Sequence, residues 1–292
     1  MKLNNNLKKI IILGSTGMMG SVISNLLKND ERFQILCFYK NSKKIKFMNL
    51  KKNQKKKLNI KNFNELKKTI NKFNPHYLIN CVGLIKQLFN SKNIKDARYL
   101  NSTLPLKLSL IAKKKKFKVI HLSTDCVFKG NKGNYSETHK ADAEDYYGIS
   151  KLKGEIKSKN VLNIRTSIIG HEINSSYSLL NWFLDQKKVK GFKNAFFTGL
   201  TTLELSNIII NKIILKNVFL NGLYHISGPK ISKLDLLKII KKIYKTKTII
   251  NIDKDFKIDR SLNSIKFRKK VNLNTKKWSM MIRELKNFNE NI

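Results

Sequence analysis

The sequence predicts an α/β fold of the Rossmann type, a doubly wound parallel sheet with a smaller C-terminal lobe. Three observations predict this fold class. Near the start of the chain a short apolar run enters a glycine-rich turn and then a helical pattern. Strand-like and helix-like segments alternate through the first half of the chain, and the alternation loosens beyond about Gly170. With 292 residues, 41% of them apolar, the chain is long enough for a sizeable core.

The first element is a buried strand at residues 10–13 that runs directly into Gly14. Glycines follow at 17 and 20, and apolar residues then recur at helical spacing, which is the setting of a dinucleotide fingerprint. Gly14 and Gly17 would let the backbone approach a pyrophosphate, and Gly20 would let the helix pack closely on the strand. The alternative is a glycine-rich turn without a ligand. The predicted cofactor-binding residues of this loop are Gly14, Thr16, Gly17, Met18, Met19 and Gly20.

The later strands of the predicted sheet lie at 33–39, 57–60, 76–81, 118–122 and 161–164. Open parallel sheets bind ligands at the carboxyl ends of their strands. The residues that fall at these ends include Ile60, Cys81, Val82, Gly83, Thr124 and Arg165. Helices are then predicted at 179–186 and 204–212, and a strand near 223–226 could return to the main sheet. We therefore predict an NAD(P)-binding domain at 1–169 and a mainly substrate-binding lobe at 170–292.

The end of the second strand bears on which nicotinamide cofactor binds. An NAD-specific site usually has an acidic residue there, whereas this chain continues with Lys40-Asn41-Ser42-Lys43-Lys44. These lysines favour NADPH, with NADH left open, and their alternative role is as part of a generally basic surface.

A tyrosine and a lysine four residues apart, Tyr147 and Lys151, share one face of a predicted helix. A lysine ammonium near a phenol favours the phenolate and lowers the pKa of the tyrosine from its usual value of ~10, which suits acid–base chemistry on a carbonyl. The alternative is a core aromatic beside a solvated lysine. Tyr146 is five residues from Lys151, so it points to another face, and we expect it to serve in packing.

The net charge of +41 raises the question of nucleic-acid binding. Only six of the 60 basic residues are arginine, and lysine lacks the planar fork used for bidentate recognition. The lysines are spread along the whole chain, with runs between predicted elements or at a helix end, such as residues 55–57 and 113–116. We therefore expect no specific nucleic-acid partner.

No apolar run approaches the ~18 residues that cross a bilayer, and residues 1–6 lack the features of a signal peptide. These observations predict a cytoplasmic protein with no membrane partner. Cys37, Cys81 and Cys126 have no paired spacing, so we expect buried thiols and no metal site.

Five motifs in order carry a family resemblance. They are Gly14-x-x-Gly17-x-x-Gly20, Asn80-Cys81-Val82-Gly83, Ser123-Thr124-Asp125, Tyr147-x-x-x-Lys151 and Arg165-Thr166-Ser167. Together they resemble an extended short-chain dehydrogenase/reductase, closest to the dTDP-4-dehydrorhamnose reductase group. Residues 191–205, with Ser232-Lys233 and Asp259-Arg260, resemble a branch that acts on UDP-linked 4-keto-6-deoxy-N-acetylhexosamines.

The resemblance implies reduction of the C4 ketone of a nucleotide-linked 4-keto-6-deoxy sugar. In that reading Tyr147 protonates the developing alkoxide, Thr124 hydrogen-bonds the same oxygen, and Lys151 holds the nicotinamide ribose. Asn59 stands where the family often has an aspartate that meets adenine, and an amide oxygen can still accept that hydrogen bond. Cations and a hydroxyl that could reach the sugar diphosphate, or equally serve in structural contacts, are Arg165, Lys193, Thr201 and Arg260.

Cys126 separates this chain from the related dehydratases, which carry a glutamate directly after the Thr-Asp pair. A thiol is a poor replacement for that acid–base group, so a reductase is favoured. A 4-epimerase of the same fold and a non-catalytic nucleotide-binding regulatory subunit are the alternatives. The expected partner is a nucleotide-sugar substrate, with a homodimer left open.

Overall fold

The structure is a computed structural model that describes residues 7–90, 93–173 and 175–291. Residues 1–6, where the sequence predicts no signal peptide, lie outside the described residues. The strands are β1 (Lys8–Leu13), β2 (Phe33–Tyr39), β3 (Lys55–Lys57), β4 (Tyr77–Asn80), β5 (Lys118–Leu122), β6 (Val161–Arg165), β7 (Ile168–Ile169), β8 (Lys188–Phe197), β9 (Leu200–Thr201), β10 (Gly222–His225), β11 (Ile231–Ser232) and β12 (Ile249–Asp259). The α-helices are α1 (Met18–Leu27), α2 (Ser42–Ile45), α3 (Phe63–Phe73), α4 (Ile94–Arg98), α5 (Leu104–Lys115), α6 (Tyr146–Lys153), α7 (Leu179–Leu184), α8 (Thr202–Ile208), α9 (Lys233–Tyr244), α10 (Ile265–Val271) and α11 (Trp278–Glu290).

The main sheet has seven strands in the order β10-β6-β5-β4-β1-β2-β3. The pairs of β1 with β2 and β4, of β2 with β3, and of β4 with β5 are parallel. The chain builds outward from β1 to β3 and then returns to the other side of β1 at β4, which is the strand reversal of a doubly wound sheet. The predicted fold class is confirmed.

Burial on both faces explains why the central strands are apolar. Ile10, Ile11, Ile12 and Leu13 of β1 are completely buried, as a strand with helices over both faces requires. Burying each such side chain stabilises the fold by about 1.5–3 kcal/mol.

The third strand differs from its prediction at 57–60. It is β3, Lys55–Lys57, and it pairs with the last three residues of β2 at the edge of the sheet. Apolar Leu58 and Ile60 suggested a later strand, but lysines are well suited to an edge, where their ammonium groups reach solvent or a neighbour. The Lys56 ammonium, for example, donates to Thr69 Oγ1 at 2.8 Å.

Two helical regions contain π-helical segments. Tyr99–Thr103 joins α4 to α5, and Ile209–Ile214 follows α8. The helix predicted at 204–212 therefore begins two residues earlier and continues as a π-helix, while the helix predicted at 179–186 ends at Leu184. The strand predicted near 223–226 is β10, at one edge of the seven-stranded sheet.

The chain forms two compact units. The first comprises residues 1–122, 153–163 and 219–222, and the second comprises residues 123–152, 164–218 and 223–292. This grouping differs from a single division at residue 169, because the segment 123–152 packs with the C-terminal elements: Asp259 N–H donates to the Gly130 carbonyl, and Tyr135 N–H donates to the Ser261 carbonyl. The assignment of a cofactor domain and a substrate lobe stays a prediction.

Among the described residues, no helix is long and apolar enough to pass through a membrane.

Candidate active site

The glycine loop after β1 has the tight geometry of a nucleotide-binding turn. Gly14 adopts a φ of +75°, and its carbonyl accepts a hydrogen bond from Gly17 N–H at 3.0 Å. A Cβ built on Gly20 would lie 2.1 Å from the Gly14 carbonyl oxygen, so only glycine allows α1 to approach β1 so closely.

The N-terminus of α1 is arranged to accept an anion. Gly17 is its N-cap, so no side chain caps the helix, and no acidic residue lies in its first turn. The backbone N–H groups of this turn and the helix dipole together suit a pyrophosphate. Thr16 and Met18 are half-buried here, and Met19 is buried. These residues fit the diphosphate of a dinucleotide cofactor.

Lys40 follows β2 directly and is exposed. The next residue, Asn41, uses its side-chain oxygen to accept hydrogen bonds from Lys43 N–H at 2.8 Å and Lys44 N–H at 3.4 Å. The turn at the end of β2 is therefore held by an amide and carries several lysines, and the choice between NADPH and NADH stays a prediction.

Asn59 and Ile60 follow β3. The Asn59 side chain is exposed and its oxygen accepts from Lys61 N–H at 3.2 Å, while Ile60 packs against the apolar core of the first unit. An exposed amide at this position can still turn toward an adenine.

Cys81, Val82 and Gly83 follow β4, beside the glycine loop. A Cβ on Gly14 would come within 3.1 Å of the Cys81 carbonyl, which shows how closely the two loops approach. Asn80 fixes this bend, because its side-chain oxygen accepts from Val82 N–H at 3.1 Å and its amide contacts His121 Nδ1 at 3.1 Å. His121 is completely buried.

Thr124 and Tyr147 meet in the second unit. Thr124 precedes a 3-10 turn at Asp125–Val127, accepts from Cys126 N–H at 3.1 Å and donates to Asp125 Oδ1 at 3.2 Å. Its hydroxyl also hydrogen-bonds the Tyr147 phenol. Two hydroxyls from separate elements are therefore close together, and such a pair could donate two hydrogen bonds to one carbonyl oxygen.

The Tyr147 pKa is raised, whereas the sequence predicts a lowered pKa. Desolvation of the phenol is the largest cause, and negative charge at Cys126, Asp125 and Asp145 adds to it, while the hydrogen bond with Thr124 acts in the opposite direction. Burial outweighs the effect expected from a nearby lysine. A phenol that stays protonated at neutral pH is the form that can donate a proton.

Lys151 lies one turn after Tyr147 on α6 and is buried, with 6% of its surface exposed. The two residues share a helix face, as their spacing predicts. Tyr146 is different: it is 64% exposed, so the expectation that it serves in packing is wrong. An aromatic side chain alone gave no indication of which face of α6 meets solvent.

Gly148 is a site residue that sequence reasoning missed. A Cβ on this glycine would lie 2.4 Å from the Cys126 carbonyl oxygen and 2.7 Å from Ala143 Cβ. Gly148 therefore lets α6 press against the turn that carries Thr124. Its position directly after Tyr147 is the only sequence signal for this role.

The four predicted substrate-binding residues lie in different settings of the second unit. Arg165 is buried over the ring of Phe128, with 5.1 Å between its guanidinium carbon and the ring centroid. Thr201 is buried and caps α8, because its Oγ1 accepts from Glu204 N–H at 3.2 Å. Lys193 is exposed on β8. Thr201 therefore has a structural role. Substrate contact by Arg165 and Lys193 stays a prediction.

Arg260 is the predicted substrate residue that reaches the turn at Asp125–Val127. Its Nε donates to the Phe128 carbonyl at 2.8 Å, and its Nη1 contacts Cys126 Sγ at 3.9 Å. Burial raises the pKa of Asp125 in the same turn, while the positive charges of Lys233 and Arg260 oppose that rise. Asp125 and Lys233 were not among the predicted site residues. No group of three or more possible metal ligands occurs in the part of the chain that the structure describes.

Comparison with known proteins gives a consistent set of matches. A sequence model of the family described as RmlD substrate binding domain matches residues 8–289. The chain is 24% identical over 231 residues to dTDP-4-dehydrorhamnose reductase of Aggregatibacter actinomycetemcomitans, a match that covers 75% of this chain and 73% of that protein. A second match, 25% identical over 148 residues, is to methionine adenosyltransferase 2 subunit beta of Danio rerio and covers 51% of this chain but only 42% of that relative.

Solved structures share the fold across nearly the whole chain. A hypothetical dTDP-4-dehydrorhamnose reductase from Sulfolobus tokodaii has 25% identity and a TM-score of 0.74, covering 91% of this chain and 95% of that chain. The dTDP-4-dehydrorhamnose reductase of Bacillus anthracis in complex with NADP has 21% identity and a TM-score of 0.78, covering 98% and 100%. The dTDP-glucose 4,6-dehydratase of the same organism in complex with NAD has 17% identity and a TM-score of 0.78, covering 97% of each chain.

Proposed function

Because the chain belongs to the RmlD substrate binding domain family, we propose that it reduces the C4 ketone of a nucleotide-diphospho-4-keto-6-deoxyhexose with NADPH, for surface polysaccharide synthesis. The family resemblance carried by the five sequence motifs is confirmed. The family supports a sugar-nucleotide reductase or epimerase that uses a nicotinamide cofactor. The choice of reductase, of NADPH and of the sugar is the proposal, and the branch acting on UDP-linked N-acetylhexosamines stays a prediction.

The hydrogen bond between Thr124 and Tyr147 is the observation that carries the proposal. Tyr147, kept protonated by burial, donates its proton to the oxygen at C4 as negative charge develops there. Thr124 donates a second hydrogen bond to that oxygen once its hydroxyl turns from Asp125. Lys151, on the same face of α6, holds the ribose of the cofactor. Together the three side chains bind the cofactor, hydrogen-bond the oxygen at C4 and protonate that oxygen.

The residues of the first unit fit a nicotinamide dinucleotide. The glycine loop and the uncapped start of α1 bind its diphosphate, and the bound cofactor supplies the hydride. Lys40, Lys43 and Lys44 provide positive charge where a 2′-phosphate would lie, which supports NADPH. One relative of the fold was solved with NADP and another with NAD.

Cys126 supports reduction over dehydration. The related dehydratases need a carboxylate at this position to remove water from the sugar, whereas the Cys126 thiol here lies against Arg260. A thiol held there offers no strong acid–base group for that elimination. An enzyme with Thr124, Tyr147 and Lys151 alone is equipped for transfer of one hydride and one proton.

The test is NADPH oxidation with purified protein and UDP- or dTDP-linked 4-keto-6-deoxy sugars. We expect turnover with one of these substrates and a loss of at least ~100-fold in Tyr147→Phe, because the proton donor is removed. Tyr146→Phe is the matched control, since it removes the adjacent exposed hydroxyl and should leave activity unchanged. Bound NADPH without turnover on any keto sugar would contradict the proposal and favour a regulatory subunit.

A further inference from the structure

The half-buried side chain of Arg260 contacts two residues at the turn Asp125–Val127. Its Nε donates to the Phe128 carbonyl at 2.8 Å, and its Nη1 contacts Cys126 Sγ at 3.9 Å. The bond to Phe128 has a charged donor, and charged donors make stronger hydrogen bonds than neutral ones. The guanidinium is therefore fixed by a backbone carbonyl and a thiol of the protein itself.

The backbone around Arg260 is held in place as well. Arg260 N–H donates to the Phe196 carbonyl at 3.1 Å, and Asp259 N–H donates to the Gly130 carbonyl at 2.7 Å. Gly130 has a φ of +97°, and a Cβ built on it would lie only 2.9 Å from Arg260 Cγ. The Arg260 side chain is thus anchored at its base by strand and loop contacts and at its tip by the turn.

Cys126 connects the Arg260 contact to both hydroxyls of the proposed reaction. Cys126 N–H donates to Thr124 Oγ1 at 3.1 Å. The Cys126 carbonyl oxygen lies so close to α6 that a Cβ on Gly148, the residue after Tyr147, would approach it to 2.4 Å. A displacement of Cys126 would therefore move the Thr124 hydroxyl and disturb the packing of the helix that carries the phenol.

We propose that Arg260 is a positioning residue, which holds Cys126 and Phe128 and through them fixes the Thr124 hydroxyl where it meets the oxygen at C4. This inference rests on the proposed function. It gives Arg260 a role in the rate of reduction, in place of the diphosphate contact that the sequence predicts. The role matters because a misplacement of about 1 Å can lower a rate ~100-fold.

Three variants separate positioning from charge. Arg260→Met removes both donors, Arg260→Gln keeps an N–H donor at the position of Nε without the charge, and Arg260→Lys keeps the charge without that donor. In Arg260→Met we expect kcat for a UDP- or dTDP-linked 4-keto-6-deoxy sugar to fall about tenfold or more, with KM and the affinity for UDP and dTDP little changed. Arg260→Gln should recover more of kcat than Arg260→Lys, because the Phe128 carbonyl needs a donor at that position.

Arg268→Met is the matched control. Arg268 is also half-buried, and its Nε donates to Ser264 Oγ at 2.9 Å, so the variant loses an arginine hydrogen bond that does not involve the turn. Its kcat should stay at the wild-type value. A raised KM and weaker UDP or dTDP binding in Arg260→Met, with kcat unchanged, would overturn the inference and assign Arg260 to the substrate diphosphate.

Hydrogen exchange tests the contact without any substrate. Cys126 N–H and Phe128 N–H both form hydrogen bonds within the turn, to Thr124 Oγ1 and to the Asp125 carbonyl. In Arg260→Met we expect a peptide covering residues 123–130 to exchange about tenfold faster, while β1 stays protected and shows that the fold is intact. Unchanged exchange at the turn would contradict the inference. If the wild-type protein reduced no keto sugar, the proposed function would fail, and the exchange rates would still decide whether Arg260 holds the turn.

Discussion

Burial of the Tyr147 phenol determines how the proposed reduction should depend on pH. Because desolvation raises the pKa of Tyr147, the phenol stays protonated beyond the usual tyrosine value of ~10. We expect kcat/KM for ketone reduction to show no loss of a tyrosine proton between about pH 7 and pH 9.5. Steady-state assays of NADPH oxidation over this range provide the measurement. A fall in rate centred near neutral pH would mean that the phenol has a lowered pKa, which is what the spacing of Tyr147 and Lys151 alone suggests.

His225 should make the protein less stable in acid. Burial and the charge of Arg165 lower the pKa of this histidine from 6.5 to about 3, so it stays neutral in the folded protein. The unfolded chain takes up the proton below about pH 6.5, and stability is therefore lost as pH falls from there toward 3. Between pH 7 and pH 5 the loss from this residue is about 2 kcal/mol.

His225→Asn tests this acid sensitivity. The asparagine amide can replace Nδ1 as the partner of the Tyr135 carbonyl, which lies 3.0 Å away, but it has no proton to gain. In urea denaturation at pH 7 and pH 5, the variant should lose about 2 kcal/mol less than the wild-type protein on acidification. Equal losses would show that other groups cause the acid sensitivity.

The sequence predicted the role of a motif residue well where the backbone geometry requires that type of residue. Gly14 and Gly20 could be identified because a positive φ and a 2.1 Å approach exclude other residues. Arg165 and Thr201 could be identified only as polar candidates. Whether a guanidinium stacks on Phe128 or a hydroxyl caps a helix depends on neighbours distant in the chain.

At the scale of elements, the contact of α6 with the turn at Asp125–Val127 should control the rate of the proposed reduction. Gly148→Ala places a methyl group 2.4 Å from the Cys126 carbonyl, so α6 has to move away from the turn that holds Thr124. We expect kcat to fall about tenfold or more because the proton donor is misplaced, with NADPH affinity little changed. The measurement is steady-state kinetics together with fluorescence titration of NADPH.

Lys153→Ala is the control for this helix, since Lys153 is exposed on α6 and should keep wild-type kinetics. Unchanged kcat in Gly148→Ala would mean that the helix and turn adapt to the added methyl group. A general loss of NADPH binding would point instead to a wider structural role for Gly148.

Elements with strong apolar patterns were predicted well, and weakly patterned ones were not. The central strands β1 and β2 have uninterrupted apolar runs, whereas β3 is three lysines, whose strand conformation comes from pairing with Cys37–Tyr39. An edge strand has one partner and one exposed side, so tertiary pairing, not composition, selects its residues.

For the whole molecule, the net charge of +41 predicts polyanion binding that depends on salt and not on sequence. We expect two unrelated DNA duplexes to bind equally at about 50 mM salt, and affinity to fall steeply by about 200 mM salt because counterion release dominates. Fluorescence anisotropy titrations at both salt concentrations provide the measurement. Retention of tight binding with preference for one duplex would show a specific nucleic-acid site.

The sequence by itself determined the doubly wound α/β fold, the glycine loop and the family, because apolar periodicity, glycine spacing and the Tyr147-x-x-x-Lys151 motif are local properties of the chain. Only the tertiary structure decided which charges are buried together. Asp125 is more than a hundred residues from both Lys233 and Arg260 in the chain, and their electrostatic interaction arises because segment 123–152 packs with the C-terminal elements. Desolvation depends on that packing, so the raised pKa of Tyr147 had no signal in the order of residues.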